Sequence, residues 1–233
     1  MNELLLARTL LIVFGTTLLV FRFFGKTGLY VWSVLATVLA NIEVLILIRA
    51  FGLEQTLGNV LFAVTFLITD ILSECYGKKE ANRAVWLGIS GSLFFVFLSQ
   101  SWLLYNPSEN DWVFPSMETV FASTPRVVLA SLFVYGLCQF FDVWLYHRWW
   151  SFTEKRFGNK KSHLWLRNNG STLVSQFINT CLFNLLAFGG TYSWSTLLSI
   201  ILMGYLIYVV TSLLDTPFIY LARNMFQQGK IKE

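Results

Sequence analysis

The stretch GNVLFAVTFLITDILSECYGKKEANRA, residues 58–84, decides how the rest of the chain is read. Residues 58–76 form an apolar run long enough, as a helix, to cross a hydrocarbon core about 30 Å thick. Lys78, Lys79 and Arg83 follow at once, the basic flank that keeps a span end on the cytoplasmic side. Inside the run sit Asp70 and Glu74, one helical turn apart and therefore on one face. A spanning helix that carries two acids must turn that face toward other helices or a cavity, because lipid cannot solvate it.

Composition extends this reading to the whole chain. Of 233 residues, 55% are hydrophobic and only 13% charged, with mean hydropathy +0.59, too little polar surface for a soluble domain. The apolar residues fall in runs that read as seven spans, at about residues 5–24, 29–50, 58–76, 84–105, 120–146, 171–190 and 195–222, each near the length a helix needs. The expected fold is an all-α polytopic membrane helix bundle, a single transmembrane domain over residues 1–233. The first run ends in FRFFGK without a small-residue cleavage site, so it reads as a retained helix rather than a signal peptide.

Short-loop charge sets the orientation. Lys78, Lys79 and Arg83 after span 3, and Arg148, Lys155, Arg156, Lys160, Lys161 and Arg167 after span 5, place those loops in the cytoplasm. NPSENDWVFPSMET and GGTYSWS contain no Lys or Arg and face outward. Alternation then puts the N-terminus outside and the C-terminus inside. The net charge of +4 is accounted for by these loops and implies no nucleic-acid partner.

Catalytic readings fail on the residues. GISG, residues 88–91, resembles a serine-protease motif, but the only histidines, His147 and His163, lie in or beside the loop after span 5, away from any such serine. GNKKS lacks the spacing of a nucleotide-binding loop. Cys75, Cys138 and Cys181 are scattered singly, so neither a metal site nor a disulfide framework is expected. The chain reads as no enzyme, with no cofactor.

The informative residues are polar ones at depth, where an unsatisfied charge costs about 3 kcal/mol on insertion scales. Asp70 and Glu74, Gln139 and Asp142, and Ser175 with Gln176 and Asn179 are spaced to share helix faces, and three such faces can converge on a pocket. By topology Asp70, Glu74, Gln139, Asp142, Gln176 and Asp215 occupy the cytoplasmic half; Glu43, Asn179 and Asn184 lie nearer the middle or outer half. Arg126 enters from outside and is placed to pair with Glu43. Glu74 is the acid within reach of the interface beside Lys78, so Asp70 is the stronger functional candidate.

Several stretches resemble one family, the queuosine precursor transporters, also called the vitamin uptake transporters. TDILSECYGKKEANRAVWLGI, PRVVLASLFVYGLCQFFDVWLYHRW and LWLRNNGSTLVSQFINTCLFNLLAF are similar to its three signatures, Arg167, Asn168, Asn169, Ser171, Thr172, Ser175 and Gln176 matching within the third; LLDTPFIYLARN and ANIEVLILIR also resemble family segments. The resemblance covers about residues 30–225. It implies import of 7-deazaguanine bases, such as queuine or its nitrile or aminomethyl precursors, for tRNA modification. It also implies a six-helix core like that of energy-coupling-factor substrate-binding subunits, residues 28–225, with residues 1–27 as an additional span, and a location in the plasma (inner) membrane. Many members carry Asp where this chain has Asn179.

A carboxylate takes two N–H donors and an amide offers both donor and acceptor, so the expected substrate-binding set is Asn41, Glu43, Asp70, Glu74, Gln139, Ser175, Gln176 and Asn179. Arg126, Asp142 and Asp215 are the expected gating or coupling set. The partners implied are the 7-deazaguanine substrate and the lipid bilayer, and a homodimer is compatible with the sequence. Three modes of energisation stay open: proton coupling, which paired acids favour, facilitated diffusion trapped by metabolism, or an external energising module; the alternative function is a substrate-binding subunit for another small heterocycle or vitamin that depends on such a module.

Overall fold

The computed structural model describes residues 1–122, 125–158, 163–190 and 192–232. Helix α1 (Asn2–Glu43) is followed by strands β1 (Leu47–Ala50) and β2 (Leu53–Thr56). The rest is helical: α2 (Gly58–Tyr76), α3 (Lys78–Trp102), the short α4 (Phe114–Ala122), α5 (Pro125–Phe157), α6 (Leu164–Phe188) and α7 (Trp194–Gln227). Among the described residues, six helices are long and apolar enough to cross a membrane.

The longest of these is folded in two. A straight 42-residue α1 would run roughly 63 Å, twice the hydrocarbon thickness. It breaks at Gly25, whose φ of 55° and ψ of −143° fit a residue without a Cβ. Trp32 Nε1 donates to Thr17 Oγ1 at 2.9 Å, although 15 helical residues would separate the two by about 22 Å. The chain therefore doubles back. At the far end of the two legs, Asn2 Nδ2 donates to the Arg49 carbonyl at 2.8 Å and Phe51 N to Glu3 Oε1 at 3.0 Å. The first of the six long helices is thus two antiparallel apolar legs joined at Gly25.

Four boundaries differ from expectation. The second pass stops at Glu43 because residues 47–56 form an antiparallel hairpin, Leu47 opposite Thr56 and Ala50 opposite Leu53, an addition to the all-α plan. Helix α3 begins at Lys78, so KKEANR is its first turns, and the corner from α2 is Gly77 alone, at φ 88°. Helix α5 runs on to Phe157. Helix α6 begins at Leu164, which places Arg167, Asn168 and Asn169 inside a helix rather than a loop. Lys160 and Lys161 lie outside the described residues.

Helix α2 is the axis of the bundle. Every residue from Ala63 to Ser73 is buried, matching a helix that is apolar on nearly all sides. The first leg of α1 joins this core through Phe14, stacked edge-on to Phe218 at 5.2 Å, and Phe21, edge-on to Tyr76 at 6.2 Å. Outward faces are apolar too: Leu11, Leu19, Phe94, Phe133, Leu202 and Leu213 are exposed, the pattern of helices that meet lipid.

The basic flanks come together at one end. Lys26 Nζ lies 5.8 Å from the Tyr76 ring centroid, Arg83 sits over Tyr30, and Tyr30 donates to Glu80. The C-terminal Lys232 N donates to the Arg22 carbonyl at 3.0 Å. The β-hairpin marks the opposite end.

Candidate functional site

One face of α6 organises the polar interior. Asn168, Thr172, Ser175 and Asn179 recur at i, i+4, i+7 and i+11, a single stripe along a helix. Three of them donate to acids on three different helices. Asn168 Nδ2 reaches Asp215 Oδ1 of α7 at 2.9 Å; Thr172 Oγ1 reaches Asp70 Oδ2 of α2 at 3.3 Å; Ser175 Oγ reaches Asp142 Oδ1 of α5 at 2.6 Å. All three aspartates are buried, and among the described residues the buried ion pairs link other residues, Glu74 with Arg167 and Arg223. Asp70 Oδ1 and Asp142 Oδ2 receive no donor among the described residues.

Toward the basic end lies a second cluster. Glu74 is held by both prongs of Arg167, Nη2 to Oε1 at 2.6 Å and Nε to Oε2 at 2.9 Å, and by Arg223 Nε at 3.4 Å. Tyr146 Oη donates to Oε2 at 2.7 Å, and Trp150 lies against the guanidinium at 4.4 Å. The Glu74 side chain is 4% exposed and that of Arg167 not at all. This corrects two expectations. Glu74 does not extend to the interface beside Lys78, because it sits on the buried face of α2 opposite two arginines. Arg167 is no topology-setting loop residue: it is the buried counter-charge, and burying both partners in bidentate contact is what makes the charges tolerable.

The expected amides divide. Gln139 is saturated by α2, donating to Thr65 Oγ1 at 2.6 Å and accepting from Thr69 at 3.2 Å. Asn41 bonds the Thr37 carbonyl, Ser92 and Ser131, which ties the second leg of α1 to α3 and α5. Both act as clasps between helices. Glu43 is half-buried at the end of α1; the side chain of Arg126 lies outside the described residues, and so does the pairing of the two. Gln176 accepts from Asn179 at 3.2 Å.

Above the aspartates, toward the β-hairpin, lies a cavity of about 250 Å³, near the lower bound of the roughly 300–1,000 Å³ usual for small-molecule pockets. Asn59 of α2, Asn179, Thr180, Phe183 and Asn184 of α6, and Tyr208 of α7 form its wall, with Gln55 and Thr56 of the hairpin over it; among the described residues no charged side chain lines it. A smaller recess of about 40 Å³ shares Thr56, Asn59, Asn179, Phe183 and Tyr208. Asn179 is the one residue of the expected substrate-binding set on this wall. Sequence reading placed Asn184 at this depth but outside the binding set, and passed over Asn59, at the start of its span, and Tyr208, one of many aromatics. For Arg167 and Asn168 the signal was present, in the third family signature.

Comparison with known proteins agrees with this architecture. The chain is 42% identical over 215 residues, 92% of each chain, to a Bacillus subtilis (strain 168) protein named "Probable queuosine precursor transporter". No solved structure matches it. Residues 56–222, which hold the three aspartates, Glu74, Arg167 and the cavity lining apart from Gln55, match the family described as "Putative vitamin uptake transporter". On those grounds the chain is a multi-pass membrane protein that belongs to the vitamin uptake transporter family.

Proposed function

We propose that this protein imports queuosine precursors, 7-deazaguanine bases, taking them from outside into the cavity beneath the β-hairpin. The observation that carries this is the cavity: uncharged, about 250 Å³, and lined by amides, hydroxyls and aromatic rings, in a chain whose relative bears a queuosine-precursor name. A flat neutral heterocycle with carbonyl and N–H groups on one edge needs amides at that edge and a ring on its face. Phe183, one turn above Asn179 and on the wall of both recesses, supplies the face. The basic residues gathered at the Gly25 and Gly77 corners favour that end as cytoplasmic, so the cavity lies toward the outside.

The aspartate cluster below the cavity is the coupling element. Asp70, Asp142 and Asp215 can exchange protons among themselves, and a proton entering with substrate lets them shed repulsion as α6 moves. The Arg167–Glu74–Arg223 cluster seals the inner end. Rescue of a cell that lacks its own transporter tests the function: with this chain expressed alone and each base supplied in turn, queuosine reappears in tRNA. No queuosine with any base refutes the proposal.

A further inference from the structure

The hydrogen bonds around the cavity fix which end of each amide faces it. Asn59 Oδ1 accepts from Tyr208 Oη at 2.8 Å and from Thr56 Oγ1 at 3.4 Å. Its Nδ2 has no acceptor among the described residues and is the end left for a ligand. Asn179 is the reverse: its Nδ2 donates to Gln176 Oε1 at 3.2 Å, which leaves Oδ1 for the cavity. Asn184 spends its Nδ2 on the Thr180 carbonyl at 2.8 Å and adds a second acceptor one turn higher. Such networks are what distinguish oxygen from nitrogen in an amide. Tyr208 thus holds Asn59 and Gln176 holds Asn179, which sets one outward donor and one outward acceptor on the same wall.

We propose that Asn59 and Asn179 read the lactam edge of the base: Asn59 Nδ2 donates to its ring carbonyl, and Asn179 Oδ1 accepts from the adjacent ring N–H or exocyclic amine. Tyr208 is the positioning residue for Asn59 and Gln176 for Asn179. This rests on the transport reading above and goes beyond it by assigning the sense of each hydrogen bond. A base with an adenine-like edge, amine in place of carbonyl and bare ring nitrogen in place of N–H, meets each amide with the wrong group. A site built to hydrogen-bond its ligand rejects such an analogue by orders of magnitude, because buried groups are left unpaired.

The test is equilibrium binding of radiolabelled 7-deazaguanine to the full-length protein in lipid nanodiscs. On the unaltered chain, 7-deazaadenine is expected to compete at least 100-fold more weakly than unlabelled 7-deazaguanine. The isosteric pair Asn59→Asp and Asn179→Asp is expected to behave unequally. Asn59→Asp replaces an outward donor with an acceptor and weakens binding tenfold or more; Asn179→Asp keeps the outward acceptor but loses the donation to Gln176, and weakens binding severalfold less than Asn59→Asp does. Equal effects of the two variants, or equal competition by the two bases, overturn the edge assignment while leaving transport intact. Absence of 7-deazaguanine binding by the unaltered chain overturns the transport reading itself and the assignment with it.

Discussion

Toward the Gly25 and Gly77 corners the bundle packs six charged side chains together, Asp70, Glu74, Asp142, Asp215, Arg167 and Arg223. Toward the β-hairpin it opens a cavity that, among the described residues, has no charged side chain on its wall. One helix serves both: α6 presents Asn168, Thr172 and Ser175 to the acids and Asn179 and Asn184 to the cavity. The difference teaches how the proposed function divides labour: coupling and helix locking fall to the charged end, where charge is costly in lipid, and recognition to neutral groups that cost little to expose.

The division can be broken in several ways. The largest effect is expected from a chain beginning at Lys26. It loses Leu10, Phe14 and Phe21 from the core and the contacts of Asn2 and Glu3 with the hairpin. Its membrane-assembled yield should fall severalfold or more, while the assembled fraction still binds 7-deazaguanine; assembly without binding would place the first leg within recognition. Next is Arg167→Met, which leaves Glu74 short of its bidentate partner and should cost about 3–5 kcal/mol, read by thermal unfolding in detergent. The double variant with Glu74→Gln should recover much of that loss.

Asp70→Asn and Asp142→Asn separate the two ends most directly. Each should cut uptake into vesicles at least tenfold and abolish its acceleration by an acidic exterior, while binding stays within threefold. A matching loss of binding would bring the acids into recognition. Phe183→Ala should weaken base binding by about 1–3 kcal/mol, the usual worth of a base stacked on a ring, with little change in stability. Smallest is Asn2→Ala, which removes one exposed hydrogen bond to the hairpin; a loss of about 1 kcal/mol or less should register only as faster proteolysis at Phe51–Gly52.

The helix that opened the sequence reading was legible to both its ends, since Gly77 and two lysines close the apolar run. The starts of α3 and α6 were not legible, because KKEANR and LWLRNN look like loops until helices are seen to continue into them. The hairpin strands were hidden for a related reason: LIRA continues an apolar segment, and four residues carry no clear period. At the site, the aspartates stood out because charge at depth needs a reason. Arg167 was masked by the rule that basic residues near span ends set topology, and Tyr208 was one of many aromatics. The donor stripe on α6 could be written down from the sequence; which acid each donor meets is a property of tertiary packing.

The Glu74 cluster also bears on how the chain is made. Glu74 is synthesised 93 residues ahead of Arg167, and Arg223 comes later still. The two corners at Gly25 and Gly77 let α1 and α2–α3 enter the bilayer as tight helical hairpins as soon as they emerge, so a carboxylate stands within the half-built bundle before either cation exists. That interval is a window in which the nascent protein is incomplete in charge rather than in shape, and in which α6 is the piece whose arrival closes it.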